Sequence, residues 1–515
     1  MIDQTLQQLP QMLRRGDFAA ADAAVRAALA EAPDHGALNA FAAFIAHRSG
    51  KPEDAVMFAR RAAEADAGSP RPIAQAANLL AQLRLFDEAL AAARRIDIPG
   101  TQDPVVLDQL GACFTACEAH RDAETAYARL VEIIPDDPRC AFNLAASQRF
   151  NGHREAAAAN FERAAKGGPV ASEAMLALSL LQTATATTHH LEDLDQRLVS
   201  PGLDPLSRAQ LFYAKGKELE DLRDWQAAFE AWSSGAKLMR STRPWSVEPE
   251  LAAMQATIQN WPDAKESFQP ADLTPVFIVS LPRAGSTLID RVLSSHSGIR
   301  SAGETEDFIV SLLAEPALAD LRDPVSIAAA SGKVDITAVG ARYRDALRRR
   351  GHVSGHVIDK TPTNFLYAGL IAEALPEARI IHVRRNPMDA AIATFKTLFR
   401  DRYFWSYDID TIGSYFLAYQ ALMTHWETRW ADRITSVQYE NLVEDVEGEA
   451  RRLVDYLALD WEAGCLEFAG NSTPVSTASA DQVRKPVYSS SIGHWRHFEQ
   501  ELQPLCRRFE KAGLI

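Results

Sequence analysis

The chain has 515 residues, and 54 Lys and Arg against 68 Asp and Glu leave a net charge of −14. Apolar residues make up 47% and charged residues 24%, the balance of an ordinary globular protein. These values exclude a disordered chain, a collagen and a disulfide-stapled miniprotein, and they speak against wrapping of nucleic acid, which needs a basic surface.

At about 150 residues per domain the length suggests roughly three domains. The five cysteines stand at 113, 117, 140, 465 and 506. Cys113 and Cys117 share one helical face, no second ligand pair follows them, and small buried side chains explain them better than zinc does. An odd cysteine count fits a reducing compartment. No window reaches the ~18 apolar residues of a membrane span. The start, MIDQTLQQLPQMLRRGDF, has no apolar core of a signal peptide. The expected location is the cytoplasm.

From the N-terminus, alanine recurs at helical spacing. Ala21, Ala55, Ala89, Ala123 and Ala157 are 34 residues apart, and five positions before each stands Gly16, Gly50, Arg84, Glu118 or Gly152. Pro33, Pro135 and Pro169 lie on the same grid. The period predicts a repeated helical hairpin. A glycine ends the first helix in a left-handed cap, alanine lets the two backbones approach, and proline stops the second helix. A further hairpin is expected around Trp225 and Ala228, 71 residues after Ala157. His189 and His190 read as loop polar residues. These units resemble the tetratricopeptide repeat. The resemblance implies a solenoid over residues 1–240 whose groove binds a partner or acceptor, or else a structural arm that would make the protein a homo-oligomer.

STRPWSVEPE and NWPDAKESFQPAD mark a Pro-rich linker over 241–272, with a short helix at MQATIQNW. Beyond it, β-branched runs alternate with helical ones. Strands are predicted at PVFIVSL (275–281), HVIDK (356–360), ARIIHVRR (378–385) and ITSVQYENL (434–442), each followed by a helix. Such alternation predicts a parallel, doubly wound sheet with ligands at the carboxyl ends of its strands. Arg283, Lys360, Arg384 and Arg385 fall there, four cations suited to a polyanion. The first strand runs into PRAGST (282–287) and then LIDRVLSSH, so loop amides and a helix N-terminus are offered to a phosphate. The loop lacks the Lys before Ser/Thr that nucleotide hydrolases require, which argues against ATP or GTP hydrolysis.

PRAGSTL after an apolar strand resembles the 5′-phosphosulfate loop of sulfotransferases that use 3′-phosphoadenosine 5′-phosphosulfate (PAPS). HVRRNPMDAAIA resembles their 3′-phosphate segment. With SAGET, VIDKTP, VQYENLV and ADQVRKPVYSSSIGHW, residues 274–500 are most similar to the tyrosylprotein sulfotransferase branch and its bacterial relatives fused to tetratricopeptide repeats. The resemblance implies an α-helical solenoid followed, over 273–515, by a P-loop-like α/β sulfotransferase domain. It implies PAPS as donor, PAP as product and no metal.

It also implies roles. Arg283, with the amides of Ala284, Gly285, Ser286 and Thr287, would cradle the phosphosulfate. Glu304 would be general base on the acceptor hydroxyl if burial raises its pKa, its alternative being a helix N-terminal acid. Lys360 would stabilise the leaving oxygen, with Asp359 a competing salt-bridge partner. Arg385 matches the 3′-phosphate arginine. The serine usual eight residues later is here Ala393, followed by Thr394. Ser479 matches a nucleotide-contacting serine and Ala480 follows it, Tyr439 would pack on or bond to the nucleotide or else be a core tyrosine, and His494 replaces a common Lys with Arg496 placed to compensate. His296 is a candidate for the acceptor site. Glu306 stands where that branch has a cation, so peptide, saccharide and small-molecule acceptors all stay open. The departures at Ala393, Ala480 and His494 support a second expectation: a scaffold whose sulfotransferase domain binds nucleotide weakly.

Overall fold

The computed structural model describes the chain except Met1, Ala67, 262–269, 319–320, 322–325, 328–329, 331–332 and 471–488. It divides into two compact units, Met1–Ala174 and Met175–Ile515.

The first unit is a helical repeat arm. Helices Ile2–Arg14, Gly36–Arg48, Pro70–Gln82, Pro104–Ala116 and Pro138–Asn151 are each followed by a partner: Phe18–Glu31, Pro52–Ala63, Phe86–Ala93, His120–Ile133 and Arg154–Ala165. The corner between the two is left-handed every time. Gly16, Gly50, Arg84, Glu118 and Gly152 have φ between 57° and 88°, so the hairpin imposes this conformation even where the residue is not glycine. All five grid alanines are fully buried at 0% exposure, where larger side chains would hold the helices apart. Gly111 serves the same end, because a Cβ there would run into the Tyr127 ring. Proline opens three of the first helices, at Pro70, Pro104 and Pro138, where a missing N–H costs nothing. The period also appears on the surface. Arg26–Asp54 at 2.7 Å, Arg60–Glu88 at 2.7 Å and Arg94–Asp122 at 2.8 Å join successive second helices. Each such exposed pair contributes little alone. The five cysteines are free thiols, and Cys113 is buried.

In the second unit, Pro205–Asp221 and Trp225–Ser241 form the further hairpin. Its corner, Arg223, is again left-handed at φ 64°, and Ala228 is fully buried. This hairpin shares one hydrophobic core with the α/β part of the unit. His190 binds the buried Glu218 through its backbone N–H at 2.7 Å and its ring at 2.9 Å. Helix Glu248–Asn260 follows.

The sheet is fully parallel, with order β2-β3-β1-β4-β5. Its strands are β1 Leu273–Ser280, β2 Ile299–Ser301, β3 Gly355–Asp359, β4 Arg379–Arg384 and β5 Ile434–Gln438. Every residue of β1 is buried, as a central strand covered on both faces must be. Phe277 and Val279 enter one core and Val276 and Ile278 the other. The predicted fourth strand is shorter than expected. It ends at Gln438, and Tyr439–Glu444 is helical, which brings the Glu440 carboxylate to the Asn386 N–H at 2.9 Å. Two strands lie on either side of β1, so the chain changes direction there and opens the crevice at the strand ends that holds ligands in such sheets.

Candidate active site

β1 ends at Ser280, and the chain reaches helix Ser286–Ser294 through two left-handed residues, Arg283 at φ 63° and Gly285 at φ 104°. Gly285 caps the helix, and a Cβ there would strike the Tyr439 ring. Arg283 stores strain of about 1–2 kcal/mol, and a neighbour holds it in place. One Arg385 N–H donates to the Arg283 carbonyl at 2.8 Å and another to the Ser491 carbonyl at 2.8 Å. The guanidinium lies 4.9 Å over the Tyr439 ring. The Tyr439 hydroxyl shares a 3.0 Å hydrogen bond with Ser491 Oγ. Ala284, Ser286 and Thr287 are buried around this turn. The Arg385 Nε is buried and has no hydrogen-bond partner among the described residues. A turn that only glycine can complete, a helix N-terminus and a spare buried cationic donor together fit phosphate groups.

Lys360 follows β3 directly. Its ammonium, 1% exposed, donates to Glu304 Oε1 at 2.5 Å, and its own N–H donates to the Gly303 carbonyl at 2.9 Å. Glu304 keeps a third of its side chain, 33%, in solvent. The expected burial of this carboxylate is therefore absent; its charge is met by Lys360 instead. Asp359 does not compete for the lysine. It points to the other face of the strand, where Thr305, Tyr343, Thr361 and Asn364 donate to it at 2.9, 3.1, 2.7 and 3.3 Å. Burial pushes Asp359 up to about 6, against the pull of those donors.

The remaining candidates go elsewhere. Thr394 is buried and its hydroxyl donates to the Pro282 carbonyl at 3.3 Å, so it braces the loop from beneath. Arg384 is exposed at the end of β4 and lines a cavity of about 110 Å³ together with Arg385, Ala284, Tyr419 and Gln420. His494 is held by Glu220 Oε1 at 2.7 Å, an oxygen shared with Lys396 at 2.5 Å. Burial opposes the charge on Glu220, but Lys396 and His494 outweigh it and hold the carboxyl down at about 2. Arg496 is exposed, with its guanidinium 5.7 Å over Trp495. Ser479 and Ala480 lie outside the described residues. His296 is buried and bound to the Asp460 carbonyl at 2.8 Å and the Gly298 N–H at 2.9 Å, a structural role rather than an acceptor contact. Glu306 is paired with Arg402 at 2.9 Å.

Sequence reasoning missed several supports. Asp389 accepts the Gly493 N–H at 2.7 Å and the Trp495 N–H at 3.0 Å, and so fastens the segment that carries Ser491. It belongs to the NPMD motif and was legible in principle. Glu220, on a hairpin 274 residues before His494, carried no signal.

Residues 275–463 match the model of the sulfotransferase family. That stretch contains all of β2 to β5, the loop after β1, Glu304, Lys360, Arg385 and Tyr439. The second unit thus carries a sulfotransferase-family domain. An uncharacterized protein of Aquifex aeolicus is 29% identical over 339 residues, 64% of this chain and 44% of that protein, so less than half of that relative's length is matched. Protein-tyrosine sulfotransferase 1 of Danio rerio is 25% identical over 270 residues, 48% of this chain and 73% of its own length. The solved sulfotransferase domain of the Synechococcus PCC 7002 olefin synthase aligns with 46% of this chain and 91% of its own, at 21% identity and TM-score 0.34. Among the described residues, no helix is long and apolar enough to cross a membrane, and no group of three or more His, Cys, Asp or Glu could hold a metal.

Proposed function

We propose that this chain transfers a sulfuryl group from PAPS to an acceptor hydroxyl. The observation that carries the reading is the Lys360–Glu304 pair, a buried ammonium against a solvent-reachable carboxylate, within the stretch that matches the sulfotransferase family. PAPS, when bound, supplies a sulfuryl group activated by its bond to a phosphate oxygen. Arg283 and the N–H groups of Ala284 to Thr287 hold the phosphate next to that group. Arg385 offers its spare Nε to the 3′-phosphate, and the Tyr439 ring fixes the guanidinium plane.

Glu304 takes the acceptor's proton as the acceptor oxygen bonds to sulfur. Lys360 neutralises the charge that grows on the bridging oxygen as the old S–O bond breaks. Lys360 is fixed in the core, and Glu304, one-third exposed, turns from it toward the acceptor. The helical arm presents the acceptor or its carrier. The zebrafish relative's name points to protein tyrosine among hydroxyl acceptors. Arg402 compensates the extra acid at Glu306, which removes one obstacle to an acidic peptide there.

The test is a thermal-shift titration with PAP followed by transfer of labelled sulfate to a panel of tyrosine peptides, saccharides and phenols. Stabilisation by PAP and a labelled product are expected. No shift at millimolar PAP overturns the reading and leaves a scaffold. Ala393 and the engaged hydroxyl of Thr394, which leave the 3′-phosphate without its usual serine, favour that second reading.

A further inference from the structure

The last helical hairpin of the second unit reaches the segment that braces Arg385. Glu220 stands near the end of helix Pro205–Asp221, with 15% of its side chain exposed. One of its oxygens, Oε1, meets His494 Nε2 at 2.7 Å and the Lys396 ammonium at 2.5 Å. Lys396 caps helix Pro387–Phe395, which begins two residues after Arg385. His494 opens the short turn His494–Phe498. Trp225, at the start of the hairpin's second helix, grips the same turn: its ring stacks on His497 at 4.1 Å and meets Phe498 edge-on at 5.8 Å. Three residues before His494 lies Ser491, whose carbonyl accepts from Arg385 at 2.8 Å and whose hydroxyl meets that of Tyr439 at 3.0 Å. Glu220 and His494 both lie outside 275–463, the stretch that matches the family model, so the hairpin adds this tie to the matched fold.

We propose that Glu220 is a positioning residue for the nucleotide: through His494 it fastens segment 490–498, so that Ser491 holds Arg385 where its Nε meets the 3′-phosphate. The segment needs an anchor from outside. Gly493 turns it back at φ 71°, and the turn that follows is a five-residue 3-10 helix, whose own hydrogen bonds are poor. A segment with few bonds of its own opens at low cost. A carboxylate on a packed helix is a fixed point, and a hydrogen bond to an ionised oxygen is roughly twice as strong as a neutral one. Through Lys396 the same carboxylate also holds the far end of the helix that starts beside Arg385. Without Glu220 the segment opens, Arg385 loses the Ser491 carbonyl, and the hold on the 3′-phosphate weakens while loop 283–287 keeps the 5′-phosphate. This inference rests on the PAPS reading above.

Two measurements on the full chain test it. In nucleotide-free protein, Glu220→Gln should speed hydrogen exchange at the Gly493 and Trp495 amides, which donate to Asp389, about 10-fold or more. By calorimetry it should weaken PAP about 10-fold, the effect of a site that is formed only about a tenth of the time. It should leave 5′-AMP, which has no 3′-phosphate, within about twofold. His494→Ala, which keeps Glu220 paired with Lys396, should show both effects, and it carries the test if the first variant fails to fold. Unchanged exchange, equal weakening of the two nucleotides, or a His494→Ala variant that behaves as wild type overturns the proposal. A wild-type protein that binds no PAP, in which both variants still speed exchange, overturns the sulfotransferase reading and leaves the tie between hairpin and segment standing.

Discussion

The Lys360 ammonium lies 2.5 Å from Glu304 Oε1, with the lysine buried at 1% exposure and the carboxylate left one-third open. That asymmetry sets the order of events at the site. The cation cannot move without breaking into the core, whereas the carboxylate can swing toward a bound hydroxyl. Glu304→Gln keeps the shape and a hydrogen bond to Lys360 but cannot take a proton. Its kcat should fall about 100-fold or more, with PAP affinity unchanged. Lys360→Ala should lose about 100–1,000-fold in kcat. Single-turnover transfer of labelled sulfate reads both, and full activity in either variant would show that the roles are misassigned.

Gly285 and Tyr439 define the closest approach in the loop. The backbone at φ 104° is strained for any L side chain, and the Tyr439 ring occupies the volume a Cβ needs. Gly285→Ala should therefore cost about 1–2 kcal/mol from the backbone alone and displace the ring that carries Arg385. The expected result is a lower melting temperature together with loss of the PAP-induced shift. A variant that melts lower but still responds fully to PAP would detach this turn from nucleotide binding.

Arg385 makes two bonds to carbonyls and holds one donor back. Among the described residues that Nε meets no acceptor, so there is room for a third partner. If that partner is the 3′-phosphate, wild-type protein should bind PAP more tightly than 5′-AMP, by about 1.5–3 kcal/mol for a charge-assisted bond. Arg385→Lys, which cannot hold both carbonyls and a phosphate in one plane, should erase most of that preference. Calorimetry with the two nucleotides measures it directly.

Much of this was written in the sequence because it repeats or is local. The 34-residue grid placed Ala21, Ala55, Ala89, Ala123 and Ala157 in the arm's core, since one alanine per hairpin is a local packing requirement. The loop after β1 was equally readable, since strand, PRAGST and helix are contiguous. What sequence hid is what tertiary contact decides. β2 is three residues, too short to leave a pattern. Helix Ile409–Arg429 is an exception, for Ile412, Tyr415, Phe416, Tyr419, Leu422, Met423 and Trp426 repeat at helical spacing along one buried face. Arg384 and Arg385 looked alike as neighbours, yet Arg384 is exposed while Arg385 reaches the Arg283 and Ser491 carbonyls. Glu304 carries the right residue type, but its exposure depends on a lysine 56 positions away. His494 answers to Glu220 on a different element altogether.

The arm offers a test of backbone strain apart from the site. Glu118 holds the left-handed corner at φ 57° where three other hairpins use glycine. Glu118→Gly relieves about 1–2 kcal/mol of strain and gives back part of it through a more flexible unfolded chain. A net gain of about 0.5–1 kcal/mol should raise the melting temperature of the first unit by about 1–4 °C. Gly152→Ala, the reverse change at φ 88°, should lower it. Scanning calorimetry on the full chain resolves the two signs.

Asp359 predicts a pH dependence of stability of a particular sign. Burial raises the group to about 6 in the folded state, against about 3.9 in an unfolded chain. Between those values the folded protein holds the proton that the unfolded chain releases. The stabilisation is therefore fully present below about pH 4 and is lost as pH rises through about 6, a change on the order of 3 kcal/mol. Asp359→Asn cannot ionise and still leaves an acceptor among Thr305, Tyr343, Thr361 and Asn364, although its amide faces donors and lowers stability at every pH. The size of that loss is not the test; its slope is. The melting-temperature gap between wild type and Asp359→Asn should be wider at about pH 4.5 than at about pH 7.5. Parallel curves across that window would mean that Asp359 is ionised throughout, held so by its four donors, and that burial does not govern its charge.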